Sequence, residues 1–293
     1  MSGGNGHTPI LSFARAPERV VSLVPSLTES LFELGAGGAL VGVTEFCRPP
    51  ESERGRLTLV GGTRSADVDV ILGLQPDLVL ANQEENSRDV VEALEAAGRK
   101  VWVTFPRTVE EAIRVLWAVV RLFRLPEAGT KVQTLEMSVA WTAGAASDPV
   151  RVFVPIWEGE TAEKMSWWMT ISRETYMHDV LATCGGDNVF ADRERRYPLE
   201  ADLGLVAAED ASGRDVRYPR ITADEVLERR PELILLPSEP FAYGEKDIER
   251  FEARFGSIPV CTVDGSLLTW HGTRLARALA ELPGLIREGI QET

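Results

Sequence analysis

Three tryptophans fall within twelve residues, Trp157, Trp167 and Trp168, in a stretch that also carries Gly159 and several glutamates. Indole rings gathered in a loop offer flat apolar walls and an N–H donor, which suits recognition of a ligand more than core packing. Similar residue types follow short apolar runs elsewhere: Phe46 after Val43, Asn82 and Gln83 after residues 77–81, Trp157 after residues 150–154, then Tyr218 and Trp270. Charged candidates are Glu45, Arg48, Arg64, Glu84, Glu85 and Arg173. An arginine among them would grip a carboxylate or phosphate through two parallel hydrogen bonds. Glu84 and Glu85 read as solvent-facing. Trp102, Trp117 and Trp141 read as core or helix packing.

Signatures of catalysis are missing from the sequence. It has no GxSxG elbow, no phosphate-binding P-loop, no GxGxxG and no HExxH. Gly185-Gly186 follows a helical stretch and reads as its C-terminal turn. Cys47 and His271 could be imagined as a nucleophile and its base, but no motif supports the pair. Cys47, Cys184 and Cys261 are odd in number, far apart and free of CxxC spacing, so neither a disulfide framework nor a zinc site is indicated. Each reads as a small buried apolar residue. The only histidines are His7, His178 and His271, too few for a metal site built of side chains from both halves.

Composition narrows the partners. The chain has 293 residues, 44% of them apolar and 26% charged, with a formal net charge of −14. That length favours two domains over one core. The acidic balance disfavours nucleic acid and anionic lipid. Residues 1–17 read as a flexible leading segment without the basic and apolar regions of a signal peptide. No apolar run approaches the roughly 18 residues of a membrane span. The expectation is a chain that stays in the cytoplasm as written, or an extracytoplasmic one whose leader is not in this sequence.

The elements that must position these residues alternate. Strands are expected at 19–24, 40–43, 77–81 and 100–104, with helices at 26–34, 68–74, 88–97 and 109–123. Ser26 with Glu29 has capping-box spacing, and Gly35 suits a helix end. A further helical stretch from 126 to about 146 has Val132, Leu135, Val139 and Trp141 on one face. Alternation then resumes with a strand at 150–154, helices at 174–184 and 222–229, strands at 233–237 and 259–263, and a helix at 272–289. This is an α/β class chain with two Rossmann-like lobes: residues 18–125, a bridging helix at 126–148, and residues 149–293. Residues 69–80 and 224–235 align without a gap, each a short helix, a proline turn and an apolar strand. The two halves therefore repeat one unit.

Several segments together resemble a known family. They are VSLVPSLTESLFELG at 21–35, QPDLVL at 75–80, TYMHDVLATCGGDNVF at 175–190, YPRIT at 218–222, LPSEP at 236–240 and DGSLLTWHG at 264–272. From about residue 18 to 285 the chain is similar to substrate-binding proteins of ABC importers in the helical-backbone metal receptor superfamily, nearest to the cobalamin-binding subgroup. The resemblance implies two α/β lobes joined by one long helix, the class III periplasmic-binding-protein fold, with ligand held in the interlobe cleft. It implies a small-molecule metal chelate as cargo (cobalamin, haem or a ferric siderophore), no intrinsic cofactor, an ABC permease as partner and a monomer. It places one docking carboxylate on each lobe, at Asp69 and Asp224, where relatives commonly carry glutamate. Phe46 and Tyr218 match aromatic cleft positions. Thr63 and Asn82 stand where the cobalamin-binding relatives have tryptophan. His271 could at most supply an axial ligand to a bound haem or corrinoid.

The expected ligand-binding set is thus Phe46, Thr63, Arg64, Asn82, Trp157, Trp167, Trp168, Tyr218 and Trp270, with no catalytic residue and no protein metal site. The rival readings are a cytoplasmic binding protein of the same fold with another partner, and, last, an enzyme using the cleft.

Overall fold

The structure is a computed structural model and describes residues 13–146 and 148–290. Positions 1–12 of the expected leading segment, His7 included, lie outside the described residues. The chain divides into two compact units. One comprises the chain up to Pro106, Glu110–Glu136 and Trp270–Arg274; the other comprises Arg107–Val109, Met137–Thr269 and the chain from Leu275 onward.

The first unit is built on β1 (Val20–Ser22), β2 (Leu40–Val43), β3 (Thr58–Leu59), β4 (Leu78–Asn82) and β5 (Val101–Thr104). They form a parallel sheet in the order β3-β2-β1-β4-β5. Every residue of β1 and β4 is buried, as expected of a parallel sheet covered on both faces. The helices of this unit are α1 (Pro25–Leu34), α2 (Glu51–Arg54), α3 (Val68–Gly73), α4 (Arg88–Ala96) and α5 (Val109–Leu122), whose first residue counts with the second unit.

Two local expectations change here. Helix α1 starts at Pro25, which needs no partner for a missing N–H; its N-cap is Val24, with no side-chain cap. Ser26 is therefore inside the helix and buried, and Glu29 faces Arg274 rather than a capping box. The second change concerns Trp270–Arg274, which the sequence reading gave to the C-terminal lobe. Arg274 clamps Glu29 with two hydrogen bonds of 2.9 and 2.6 Å, and the Thr273 N–H donates to Ser30 Oγ at 3.1 Å. Gly272, at φ +94°, permits the approach: a Cβ there would come within 2.3 Å of Ser30 Oγ. His271 is buried, its Nε2 lying 3.3 Å from Asn82 Nδ2.

Helix α6 (Gly129–Ala145) follows a short 3-10 turn at Pro126–Ala128. Its residues count with the first unit through Glu136 and with the second from Met137. Val132 and Leu135 are buried, as their spacing predicts. Trp141 is not packed: it is 81% exposed, the spacing having carried the apolar stripe beyond the surface that covers it. No helix among the described residues is long and apolar enough to cross a membrane.

The second unit holds two sheets. Strands β6 (Val150–Phe153), β9 (Gly186–Asn188), β11 (Leu233–Pro237) and β12 (Val260–Val263) form a parallel sheet ordered β12-β11-β6-β9. Strands β7 (Trp157–Glu160), β8 (Ser166–Met169) and β10 (Arg220–Ile221) form an antiparallel one ordered β10-β8-β7. Its helices are α7 (Tyr176–Thr183), α8 (Leu199–Asp202), α9 (Ala223–Arg229), α10 (Glu245–Phe255), α11 (Ser266–Thr269) and α12 (Leu275–Glu288). Topology supports the internal repeat: β4 lies beside β1, and β11 beside β6, in parallel.

The expected tryptophan loop is instead a hairpin, with Glu158 paired to Trp168 and Gly159 to Trp167. Strand alternation then separates the rings. Trp168 points into the core, 5.3 Å from Phe255 and 6.0 Å from Phe251 by ring centroids. Trp157, Gly159, Trp167 and Met169 share the opposite face. Gly159 has to be glycine here, since a Cβ would lie 2.5 Å from the Trp167 ring.

Two consequences are measurable. Phe251 is 1% exposed and touches Trp168, Tyr243 and Phe255, so Phe251→Ala should cost about 3–5 kcal/mol in urea denaturation, whereas Trp141→Ala should stay within about 0.5 kcal/mol. Burial lowers the His271 pKa to about 4. The unfolded chain then binds a proton the folded one refuses between about pH 6.5 and 4, so stability is full above that window and falls through it, by roughly 3 kcal/mol in all. His271→Gln should flatten that part of the stability–pH curve; an unchanged slope would assign it to other groups.

Candidate functional site

A parallel sheet sends the C-terminal ends of its strands to one edge, and the loops after them form the surface where open α/β sheets place ligands. In the first unit the chain leaves β1 toward β2 and β3 on one side and returns as β4 and β5 on the other. The switch point is therefore the end of β1 and β4, and a polar network fills it. Asn86 is buried; its Oδ1 accepts the Asn82 N–H at 2.7 Å, and its Nδ2 donates to the carbonyls of Leu23 at 3.0 Å and Thr63 at 2.9 Å. Asn82 Oδ1 accepts the N–H of Glu84 at 2.8 Å. Arg64 adds a 2.9 Å bond to the Glu84 carbonyl. Three loops, after β1, β3 and β4, are held together by side-chain amides and one guanidinium.

The expected site residues of this unit take different places around that network. Asn82 is 3% exposed and engaged with Thr104 and His271, so it holds the floor of the surface. Trp270 is buried too, with the guanidiniums of Arg48 and Arg274 at 5.5 and 4.9 Å from its ring centroid. Thr63 is half-buried and contributes its carbonyl. Phe46 is the outward aromatic, 57% exposed, with its ring edge over Gly62. Arg64, Arg48, Glu45 and Gln83 are exposed, while Glu84 and Glu85 are half-buried. Cys47 is buried between the hydroxyls of Thr28 at 3.1 Å and Thr44 at 3.2 Å, and burial raises its pKa, the opposite of an activated nucleophile.

In the second unit the candidate surface is the outward face of the antiparallel sheet. Trp157 is 46% exposed and meets Phe241 edge-on at 5.3 Å. Glu158 anchors the hairpin from behind: its Oε2 accepts from Tyr243 Oη at 3.3 Å and from Arg250 at 3.0 Å. Trp167 and Tyr218 are half-buried, and each has a guanidinium over its ring, Arg220 at 5.9 Å and Arg217 at 5.2 Å. Trp168 lies in the core instead. His178 is a hydrogen-bonded helix residue with its Nδ1 3.5 Å from Asn188 Nδ2. Arg173 is exposed.

Asp69 and Asp224 occupy the same position in equivalent helices. Both are exposed, two residues after the N-cap: Asp67 caps α3 by accepting from the Val70 N–H, and Thr222 caps α9 by accepting from the Glu225 N–H. Each helix then leads through a proline turn to β4 or β11.

Sequence reading missed Asn86, Phe241, Arg195 and Arg220. A proline- and aromatic-rich stretch at 240–243 was available as a signal for Phe241; Asn86 is one polar residue in a polar loop and carries none. Among the described residues no group of three or more His, Cys, Asp or Glu is placed to hold a metal ion.

Comparison with known proteins adds to this geometry. The family described as periplasmic binding protein matches residues 20–239. The chain is 26% identical over 226 residues to a vitamin B12-binding protein of Yersinia pestis (strain Pestoides F), covering 76% of this chain and 70% of that one. Its fold is that of the periplasmic vitamin B12 binding protein of Vibrio cholerae, with a TM-score of 0.68, 22% identity and coverage of 93% and 98%. It is also that of the periplasmic haem-binding protein from Roseiflexus sp. RS-1, at a TM-score of 0.68, 21% identity and coverage of 93% and 99%. A match spanning most of the chain, on two α/β units, establishes that the chain belongs to the periplasmic binding protein family.

Proposed function

We propose that this protein is the solute-binding component of an ABC importer, capturing a small metal chelate of the corrinoid, haem or ferric-siderophore class and handing it to a permease. The observation that carries the reading is the family match over residues 20–239, on a chain that presents Phe46 after β2 and Trp157 on β7 outward. The family is one of solute-binding proteins, not enzymes. A flat ligand is served by exposed rings with polar anchors beside them. Thr63 and Asn82 stand in place of the tryptophans of cobalamin-binding relatives and are engaged in the internal network, which leaves Phe46 as the outward ring of the first unit.

A panel of cyanocobalamin, cobinamide, haem and several ferric siderophores, tested by thermal shift, addresses the cargo. A ligand at 100 times its Kd stabilises the folded state by about 2.7 kcal/mol, so one class should raise the Tm by several degrees. A flat response across the whole panel would remove metal-chelate capture from consideration.

Asp69 and Asp224 are the proposed permease contacts. Two carboxylates at matching places on repeated helices can steer and orient a large basic partner. Asp69→Ala and Asp224→Ala should leave ligand affinity and Tm unchanged, because both side chains are exposed, and should each weaken binding to the reconstituted permease about tenfold. Equal permease affinity in the double variant would dismiss the docking role.

A further inference from the structure

The 193–220 segment carries six arginines against six acids, so the pairing of its guanidiniums decides where a positive charge is left over. Its arginines are not equivalent. Arg193 is buried, its guanidinium 3.0 Å from Asp202 and 2.8 Å from Glu225, and it ties the segment to α8 and α9. Arg217 is matched by Asp215 at 2.6 Å, and Arg214 lies 3.8 Å from Glu209. Arg195, Arg196 and Arg220 form no ion pair among the described residues, and Arg196 is exposed. Asp202 and Asp215, the acids whose charges act on Arg220, are paired with Arg193 and Arg217.

Of these arginines, Arg220 lies on the outward face and Arg195 is close enough to act on its charge. Arg220 pairs with Met169 across the sheet and covers Trp167. Its side chain also donates to the Tyr218 carbonyl at 3.1 Å. Arg195 stacks on Tyr197 at 4.2 Å, and its N–H donates to the Val216 carbonyl at 2.8 Å, one residue before Arg217. Burial, and after it the Arg195 charge, lowers the Arg220 pKa, so the two cations are close enough to repel. Two buried donor atoms of the residues around Arg220 lack an acceptor among the described residues: Arg195 Nε and Trp167 Nε1. Neither atom can act as an acceptor, so both call for an electron-rich partner.

The geometry points to a subsite for the carboxylates of a flat conjugated chelate on this face, with Arg195 and Arg220 binding the anion and Trp157, Trp167 and Tyr218 lying against the ring system. The inference rests on the solute-binding reading above and narrows its ligand class: a carboxylate-bearing macrocycle such as haem fits, and a corrinoid with an amide periphery does not. A carboxylate would relieve the repulsion between the arginines and form charge-assisted hydrogen bonds that water forms less well.

Absorbance titrations of the whole protein with ferric haem and with cyanocobalamin test it, run on wild type, Arg195→Gln, Arg220→Gln and Arg214→Gln, with Tm recorded for each. Wild type should prefer haem. Arg195→Gln and Arg220→Gln should each weaken haem about tenfold, and Arg214→Gln, whose cation already faces Glu209, should leave haem affinity unchanged. Arg220→Gln decides the matter if Arg195→Gln lowers Tm through loss of its stacking on Tyr197. Cyanocobalamin bound more tightly than haem, or haem affinity unaltered in both variants, overturns the carboxylate subsite and leaves solute binding standing. Binding of neither probe, nor of the siderophores of the thermal-shift panel, takes down both.

Discussion

Parallel pairing between the first strand of each unit and a strand from much later in the chain is the constraint on which the remaining structure depends. Two parallel neighbours cannot be joined by a tight turn; the chain has to cross over through a helix. β1 against β4 and β6 against β11 are such pairs, and both strands of each are apolar enough to be covered on two faces. Once they pair, β2 and β3 are forced to one side of β1, and β5 to the other side of β4. The loops at the reversal are thereby collected at one edge without any need for sequence between them to be ordered by itself.

Collecting loops is not the same as fixing them, and the first unit solves the second task with buried amides. Asn86 makes three hydrogen bonds that span the ends of β1, β3 and β4, and Asn82 makes others that span β4, β5 and the Trp270–Arg274 segment. Each bond contributes about 1 kcal/mol net, but leaving one of these buried partners unmatched costs about 1–3 kcal/mol, so the network specifies the loop arrangement more than it stabilises the fold. The same logic applies to Asn82, whose amide is used internally. The second unit fixes its surface differently, by pinning a hairpin through Glu158 to Tyr243 and Arg250, and by burying one tryptophan of three as a root.

The legible part of the sequence is the part governed by period and punctuation. Apolar runs gave β4, β5, β6 and β11 within about a residue, and Gly35 ended α1 with φ +93° as a C-terminal glycine should. The repeat of residues 69–80 in 224–235 placed Asp69 and Asp224 at equivalent helix positions before any coordinate. What failed was decided by neighbours. Trp157, Trp167 and Trp168 read as a loop because their spacing conceals the alternation: Trp167 and Trp168 are adjacent, and only pairing with Gly159 and Glu158 sends one outward and one inward. Trp270 and His271 were assigned by chain order, whereas the Arg274–Glu29 pair and the close approach at Gly272 carry that segment to α1. Ser26 lost its capping role to Pro25, one position earlier, which supplies the helix start through its fixed φ.

Net charge and local charge act at different ranges here. A formal charge of −14 sets the field at a distance, yet at physiological salt that field decays over about 8 Å. Within that distance the identity of the nearest groups decides, and at the outward sheet face those groups are arginines held in part out of water. Partial burial strengthens their attraction for an anion, since less solvent competes, and the stacked rings keep the guanidiniums oriented, so little freedom is lost on binding. An acidic surface also disfavours anions that merely approach. On the proposed reading, a small anion would be held where it reaches the unmatched donors, and a polyanion too large to reach them would meet the acidic remainder of the protein. In the proposed subsite, selection of a small anion would rest on Arg195 and Arg220 alone, because Asp202 and Asp215 are already paired with Arg193 and Arg217.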